Sequence, residues 1–234
     1  MKRTILVTGA NRGIGRALVD SLLADGDDVI AHGRDATALA EFDCRTVVAD
    51  LSRPDTLAKA FADIDHLDAL VHNAGIAQTR PVSELDVDTW MAHLTVNVAA
   101  PAELTRVLLP ALRAARGHVV FVNSGAGLAS GPLWAAYGGS KHALKALADS
   151  LRAEEKPNGV RVTTVYPGQV ATDMQRQLRE STGAPYDPQR ALSPATVATA
   201  ITYALNVPAE ATVNDLRIAP TDPLPHASVM PKSS

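Results

Sequence analysis

The sequence predicts a single α/β domain: a doubly wound parallel sheet of about seven strands with helices on both faces. Three observations predict it. Short, nearly continuous apolar runs rich in Val and Ile alternate with longer stretches of helical period along the chain. Runs of that kind suit strands buried on both faces, the condition of a parallel sheet covered by helices. A glycine-rich turn follows the first run directly and opens into the first helical stretch.

The elements follow in order. A strand over 2–7 is broken by Gly9, Gly13 and Gly15 into a helix over 13–25. A second strand over 28–32 leads to a short helix over 36–42, and a third over 45–49 leads to a helix over 54–63 opened by Pro54. The fourth strand, 67–72, precedes a long helix over 87–115 and a fifth strand over 118–123. The stretch 135–156 carries Leu144, Leu147 and Leu151 on one helical face and is stopped by Pro157-Asn158-Gly159. A strand over 160–165, a helix over 194–205 entered through Ser193-Pro194, and a strand over 213–218 complete the sheet. Two segments fall outside this alternation. The polar connection 175–192 holds Gly183, Pro185 and Pro188 and reads as a substrate lid over a fairly open pocket. The stretch 219–234, with Pro220, Pro223, Pro225 and Pro231, reads as an extended tail beyond a domain at 1–218.

Composition bounds the function. The 234 residues have room for one core, and 46% hydrophobic with 20% charged residues excludes wholesale disorder. Lys plus Arg is 22 against Asp plus Glu 25, a net charge of −3, which supplies no basic field for nucleic acid and no polybasic membrane patch. No apolar run approaches the about 18 residues of a spanning helix. The opening residues lack the apolar stretch and cleavage site of a secretion signal, and Cys44 is the one cysteine; a cytoplasmic protein is expected.

The glycine turn, Thr8-Gly9-Ala10-Asn11-Arg12-Gly13-Ile14-Gly15, lets backbone approach a pyrophosphate whose charge faces a helix N-terminus. Its G-x-x-x-G-x-G spacing differs from the usual G-x-G-x-x-G, and a tight turn without a ligand is the bland alternative. The second strand ends His32-Gly33-Arg34-Asp35. A carboxylate there would bind the ribose 2′-OH of NAD(H), whereas an Arg accommodates the 2′-phosphate of NADP(H). Arg34 and Arg12 converge on that position, which favours NADP(H) over NAD(H). Asp35 either caps the next helix or reaches the ribose.

Tyr137 and Lys141 lie one helical turn apart on a shared face. A neighbouring ammonium favours tyrosinate, as an acid/base working near neutrality requires. Ser124 lies thirteen residues upstream at the C-terminal end of a predicted strand, where open α/β sheets bind ligands. Trp134, with Leu128 and Leu133, reads as an apolar wall at the same mouth or as core. His32, His66, His72, His93, His118 and His226 show no metal-ligand spacing, and His142 points away from Lys141 around the helix; no metal is expected.

Taken together, Thr8-Gly9-x-x-x-Gly13-Ile14-Gly15, Asn73-Ala74-Gly75, Asn97, Ser124, Tyr137-x-x-x-Lys141 and Pro167-Gly168 resemble the classical short-chain dehydrogenases/reductases over about residues 2–218. The resemblance implies a Rossmann-type fold and a nicotinamide cofactor. It implies Tyr137 as acid/base, Ser124 as hydrogen-bond partner of the substrate oxygen, and Lys141 on the nicotinamide ribose. Asn97 would hold a water that links Lys141 to solvent. Asp50 and Leu51 would border the adenine, and Asn73, Ala74 and Gly75 would pass beside the adenosine ribose. Pro167, Gly168 and Val170 would face the nicotinamide, with Thr172 near its carboxamide. His72, Gly139 and the single serine of Asn123-Ser124-Gly125 depart from the common pattern without removing a reacting group. Gly138-Gly139 inside a helix points to close packing there.

The expected activity is NADP(H)-dependent hydride transfer to or from a small aldehyde, ketone or secondary alcohol; the resemblance further implies a homodimer or homotetramer built on helices 87–115 and 135–156, whose apolar content packing on the sheet also explains. A non-catalytic NADP(H)-binding scaffold is the alternative, and the retained Ser, Tyr, Lys and Asn argue against it. A halohydrin dehalogenase is opposed by Gly9, Gly13, Gly15 and Lys141.

Overall fold

In the computed structural model, which describes residues 2–224, the apolar runs become the strands of one sheet. They are β1 (Thr4–Thr8), β2 (Asp28–Gly33), β3 (Arg45–Val48), β4 (Ala69–His72), β5 (His118–Val122), β6 (Arg161–Pro167) and β7 (Asp215–Ile218). Their order is β3-β2-β1-β4-β5-β6-β7, with every neighbouring pair parallel. The chain winds outward from β1 to β3, then returns to β4 and winds outward to β7. The reversal falls between β1 and β4, and a crevice opens there at the C-terminal strand ends.

Alternate residues of each strand serve opposite faces. Ile5 and Val7 of β1 join Val71, Val120 and Val165 beneath α1 (Gly13–Ala24) and α8 (Pro194–Asn206), which contribute Leu18, Leu22, Val197 and Ile201. Leu6 faces the other way with Leu70, Val119 and Phe121, under Leu104, Leu108 and Leu144 of α5 (Ala100–Ala115) and α6 (Ala135–Glu155). Both faces are thus sealed by helices, as the continuous apolar runs require. Among the described residues, no helix is long and apolar enough to cross a membrane.

Several elements differ from expectation. The helix over 36–42 shrinks to α2 (Ala36–Leu39), capped by the Asp35 carboxylate, which accepts from the N–H groups of Thr37 and Ala38. The helix over 54–63 divides into a 3₁₀ turn, Pro54–Thr56, and α3 (Leu57–Ala60). The long helix over 87–115 is interrupted: α4 (Val87–Leu94) passes through a π turn, Thr95–Ala99, into α5. Pro101 explains the interruption, because it has no N–H and its partner in an α-helical register would be the carbonyl of Asn97.

The segment expected to be a lid differs most from the sequence reading. The expected polar connection over 175–192 contains most of a helix, α7 (Asp173–Thr182), and a 3₁₀ turn at Pro188–Arg190. Thr172 caps α7 by accepting from Gln175 N–H at 3.3 Å. Arg176 pairs with both Asp173 and Glu180 on its outer face, and Gly183 ends it with φ +65°. The base of the insertion is closed by a parallel bridge between Val170 and Leu192. The described start of the tail lies against this base. Gln169 Nε2 donates to Leu224 O at 2.6 Å, Arg190 pairs with Asp222 at 2.9 Å, and Pro220 borders Gly168. Pro225, His226 and Pro231 lie outside the described residues.

Candidate active site

At the head of β1 the glycine turn is dictated by close contacts. Gly9 and Gly13 have φ of +68° and +59°, where side-chain-bearing residues are strained. A Cβ on Gly15 would stand 2.2 Å from the Gly9 carbonyl oxygen. Thr8 and Asn73 tie the turn to the loop after β4. Thr8 Oγ1 accepts from the N–H groups of Asn73 and Ala74 at 3.0 and 3.1 Å, while Asn73 Nδ2 donates to the Thr8 and Gly9 carbonyls. Asn11 lies across the end of β2, its amide donating to Asp35 O at 2.9 Å. Gly33 makes room for it, since a Cβ there would meet Asn11 Oδ1 at 1.6 Å. Arg12 and Arg34 are exposed at the rim of this end, and neither guanidinium forms a hydrogen bond or ion pair among the described residues. Asp50 accepts from Ser52 N–H, which holds its carboxyl below the usual range, with help from Arg34 and Arg53.

At the other end, β5 delivers Ser124 and α6 delivers Tyr137 and Lys141. Ser124 caps a 3₁₀ turn, Gly125–Gly127, through its hydroxyl. Burial pushes the Tyr137 hydroxyl pKa up, and a hydrogen bond with Ser124 pulls it back. Lys141 is buried, donates to Val122 O at 3.0 Å and stands 5.9 Å from the Tyr137 ring centroid. Burial lowers its pKa to about 8. Burial is the larger influence on Tyr137, a hydrogen bond with Ser124 opposes it, and the Lys141 ammonium is directed at Val122 O.

Asn97 sits in the π turn, buried behind the loop after β4. Its amide donates to Ile76 O and Ser140 Oγ, both at 2.9 Å, and its Oδ1 accepts from Ile76 N–H at 2.9 Å. Both amide hydrogens are thus engaged in holding that loop and α6. The paired glycines of α6 are explained by packing: a Cβ on Gly138 would lie 2.5 Å from Ser130 Oγ, and one on Gly139 would lie 3.1 Å from the Trp90 ring. His72, the unusual residue before Asn73, is a core residue. It bonds Thr105 Oγ1 at 2.9 Å and stacks on Phe121 at 4.9 Å.

A cleft of about 290 Å³ joins the two ends. Gly9, Asn11, Arg12, Gly13, Ile14, Arg34, Asp50 and Leu51 line one side. Ser124, Tyr137, Lys141, Pro167, Gly168, Val170 and Thr172 line the other, with Asn73, Ala74 and Gly75 along the cleft. Gly15 and Asn97 are the two sequence-predicted residues that do not line it. Trp134 does, with its ring 5.5 Å from that of Tyr137, whereas Leu128 and Leu133 do not. Sequence reasoning missed Met174, and it held Gln175 and Leu178 of α7 only as part of the connection 175–192. The i, i+4 pair Met174 and Leu178 was the available signal, hidden in a helix otherwise almost wholly polar.

This chain matches the family described as short chain dehydrogenase over residues 3–183. It belongs to that family. The short-chain dehydrogenase is accordingly an oxidoreductase on a nucleotide-binding Rossmann-type sheet. It is 34% identical over 241 residues to an uncharacterized short-chain type dehydrogenase/reductase of Sinorhizobium fredii, covering 98% of this chain and 96% of that one. The rat dehydrogenase/reductase SDR family member 7B is 33% identical over 202 residues, covering 78% of this chain and 62% of the longer rat protein. This short-chain dehydrogenase thus spans less than two thirds of that relative's length. A short chain dehydrogenase of Burkholderia cenocepacia, solved in complex with NADP, superimposes with a TM-score of 0.82 at 27% identity, over 93% of this chain and 88% of that one. An alcohol dehydrogenase from Thermococcus sibiricus, complexed with 5-hydroxy-NADP, shares the fold with a TM-score of 0.86 at 22% identity, over 97% and 100%.

Proposed function

We propose that this protein is an NADP(H)-dependent oxidoreductase interconverting a small aldehyde or ketone with its alcohol. One observation carries the reading: Ser124, Tyr137 and Lys141 meet in the same cleft as a glycine turn flanked by two exposed arginines. The residues fit a dinucleotide. Gly9 and Gly13 carry no side chain to block approach of a pyrophosphate to the backbone at the start of α1, and Arg12 and Arg34 offer guanidinium groups suited to a 2′-phosphate. The NADP complexes among similar structures agree with this preference.

Bound there, the cofactor supplies the hydride. Tyr137 Oη gives a proton to the carbonyl oxygen in reduction and takes one from the alcohol in oxidation. Ser124 donates a hydrogen bond to that oxygen as charge develops on it. Lys141 holds the nicotinamide ribose and, near its lowered pKa, exchanges the proton that Tyr137 needs. Asn97 fixes the loop beside Lys141, and its backbone carbonyl, which lacks an α-helical donor at Pro101, takes the water of the relay. Asn11, Ile14 and Gly15 complete the pyrophosphate turn. Asp50 and Leu51 border the adenine, Asn73, Ala74 and Gly75 the adenosine ribose, and Pro167, Gly168, Val170 and Thr172 the nicotinamide. We take residues 1–218 as the catalytic domain. Val87 and Met91, exposed one turn apart on α4, support a homodimer or homotetramer on this side.

Oxidation of NADPH and NADH is compared over a panel of aldehydes and ketones, for the wild type and Tyr137→Phe. The expected result is NADPH-preferring turnover that falls about 10²–10⁴-fold in the variant, with cofactor affinity retained. Undiminished turnover by Tyr137→Phe overturns the mechanism.

A further inference from the structure

The lid helix adds something that neither the family match nor the cleft's polar ends supply. α7 starts over the glycine turn, where a Cβ on Gly13 would lie 3.3 Å from Thr172 Cγ2. Its ten residues span about 15 Å. Its far end is fastened across the cleft by Ser181 Oγ, 3.1 Å from Thr79 Oγ1. The next residue, Arg80, donates its N–H to Leu133 O, immediately before Trp134. The helix therefore bridges the cleft from the phosphate turn to the Trp134 side. One face, Met174, Gln175 and Leu178, lines the cleft; the opposite face carries the Arg176 ion pairs.

That placement decides the character of the space around Tyr137. Trp134 stands on one side, its ring tilted 54° to that of Tyr137, and the Met174–Leu178 pair comes down from the lid. Among the described residues, the charged side chains that line the cleft are elsewhere or engaged. Arg12, Arg34 and Asp50 are at the adenosine end, Asp173 pairs with Arg176, and Lys141 donates to Val122 O. Gln175 is the lid's neutral polar side chain in the cleft.

Resting on the oxidoreductase reading, we infer that the substrate is an uncharged carbonyl compound or alcohol with an aryl or bulky alkyl substituent. The substituent packs between Trp134 and the Met174–Leu178 face, with Gln175 as its polar contact. Met174 adapts its shape to the substituent, and the indole supplies a flat apolar wall. A carboxylate or phosphate on the same substituent would be desolvated there without a cation.

Trp90 and Trp134 are the only tryptophans, so a Trp90→Phe background makes Trp134 emission a direct probe of the pocket. The protein is titrated, with NADP⁺ present, with p-methylacetophenone and with p-carboxyacetophenone. The neutral ketone should quench Trp134 and bind about a hundredfold more tightly than the carboxylate. Leu178→Arg should narrow that ratio about tenfold or more by giving the carboxylate a partner. Equal binding of the two ketones, or unchanged Trp134 emission with the neutral one, overturns the assignment. NADPH oxidation separates the two readings. Selective binding of the neutral ketone without its reduction refutes the oxidoreductase and leaves the apolar pocket standing. Faster reduction of the carboxylate, abolished in Tyr137→Phe, does the reverse.

Discussion

The same residue type carries opposite consequences at different points of this site. Gly15 faces backbone at 2.2 Å, and backbone within a hydrogen-bonded turn has nowhere to move. Gly15→Ala is expected to cost about 1–3 kcal/mol and to weaken NADPH binding, read by denaturant midpoint and fluorescence titration. Gly139 faces only the edge of the half-buried Trp90 at 3.1 Å. There the helix-propensity gain of about 1 kcal/mol opposes a shift of a few tenths of an ångström, so Gly139→Ala should change stability little. A large loss would show that Trp90 is rigidly held. Arg34 is judged by discrimination. Arg34→Ala should reduce the NADPH-over-NADH preference about tenfold or more, the worth of one charge-assisted contact, and an unchanged ratio removes its assignment.

At the scale of elements, α7 and the π turn show how local chemistry shapes the cleft. α7 is helical because Thr172 caps it, Arg176 braces its outer face and Gly183 ends it. Loss of the cap in Thr172→Ala should destabilise the helix by about 1 kcal/mol. Hydrogen exchange should then report faster exchange confined to α7, and unchanged protection would mean that the Ser181–Thr79 contact suffices. The π turn places Asn97 where its amide spans Ile76 and Ser140, tying the loop after β4 to α6. The sequence contained Pro101, but read alone the apolar period of 87–115 favoured a single helix. The cost of the missing N–H is carried by a change of helical register, visible only in the fold.

At the scale of the whole molecule, buried histidines set an acid limit on stability. Burial lowers His32 to about 4, and His72 and His118 to about 3, from an ordinary value of 6.5. The unfolded chain binds these protons as pH falls below about 6.5, while the native state does not until about 3–4. Their contribution is therefore fully present above pH 6.5 and is lost on acidification. Each histidine adds a slope of about 1.4 kcal/mol per pH unit across that window. Unfolding midpoints between pH 7 and 5 should fall steeply, and less steeply in His72→Asn, whose amide can still bond Thr105. Parallel profiles for the two proteins would show that His72 does not titrate differently in the two states.

The sequence by itself determined the sheet and the glycine turn, and it named residues that the fold brings to one cleft. Seven strand signals correspond to seven parallel strands, and all but Gly15 and Asn97 of the predicted site residues line one cleft. Those features rest on local causes: unbroken apolar runs, glycines where backbone must pass backbone, and a one-turn spacing on a helix. Only the tertiary structure decided the rest. Where the Lys141 ammonium points was set by packing, and it donates to a carbonyl of β5. Whether 175–192 was loop or helix depended on caps and ion pairs that outweighed its weak apolar signal. The apolar character of the pocket arises because Ser181 meets Thr79 and Arg80 meets Leu133, distant contacts that no period in the sequence encodes.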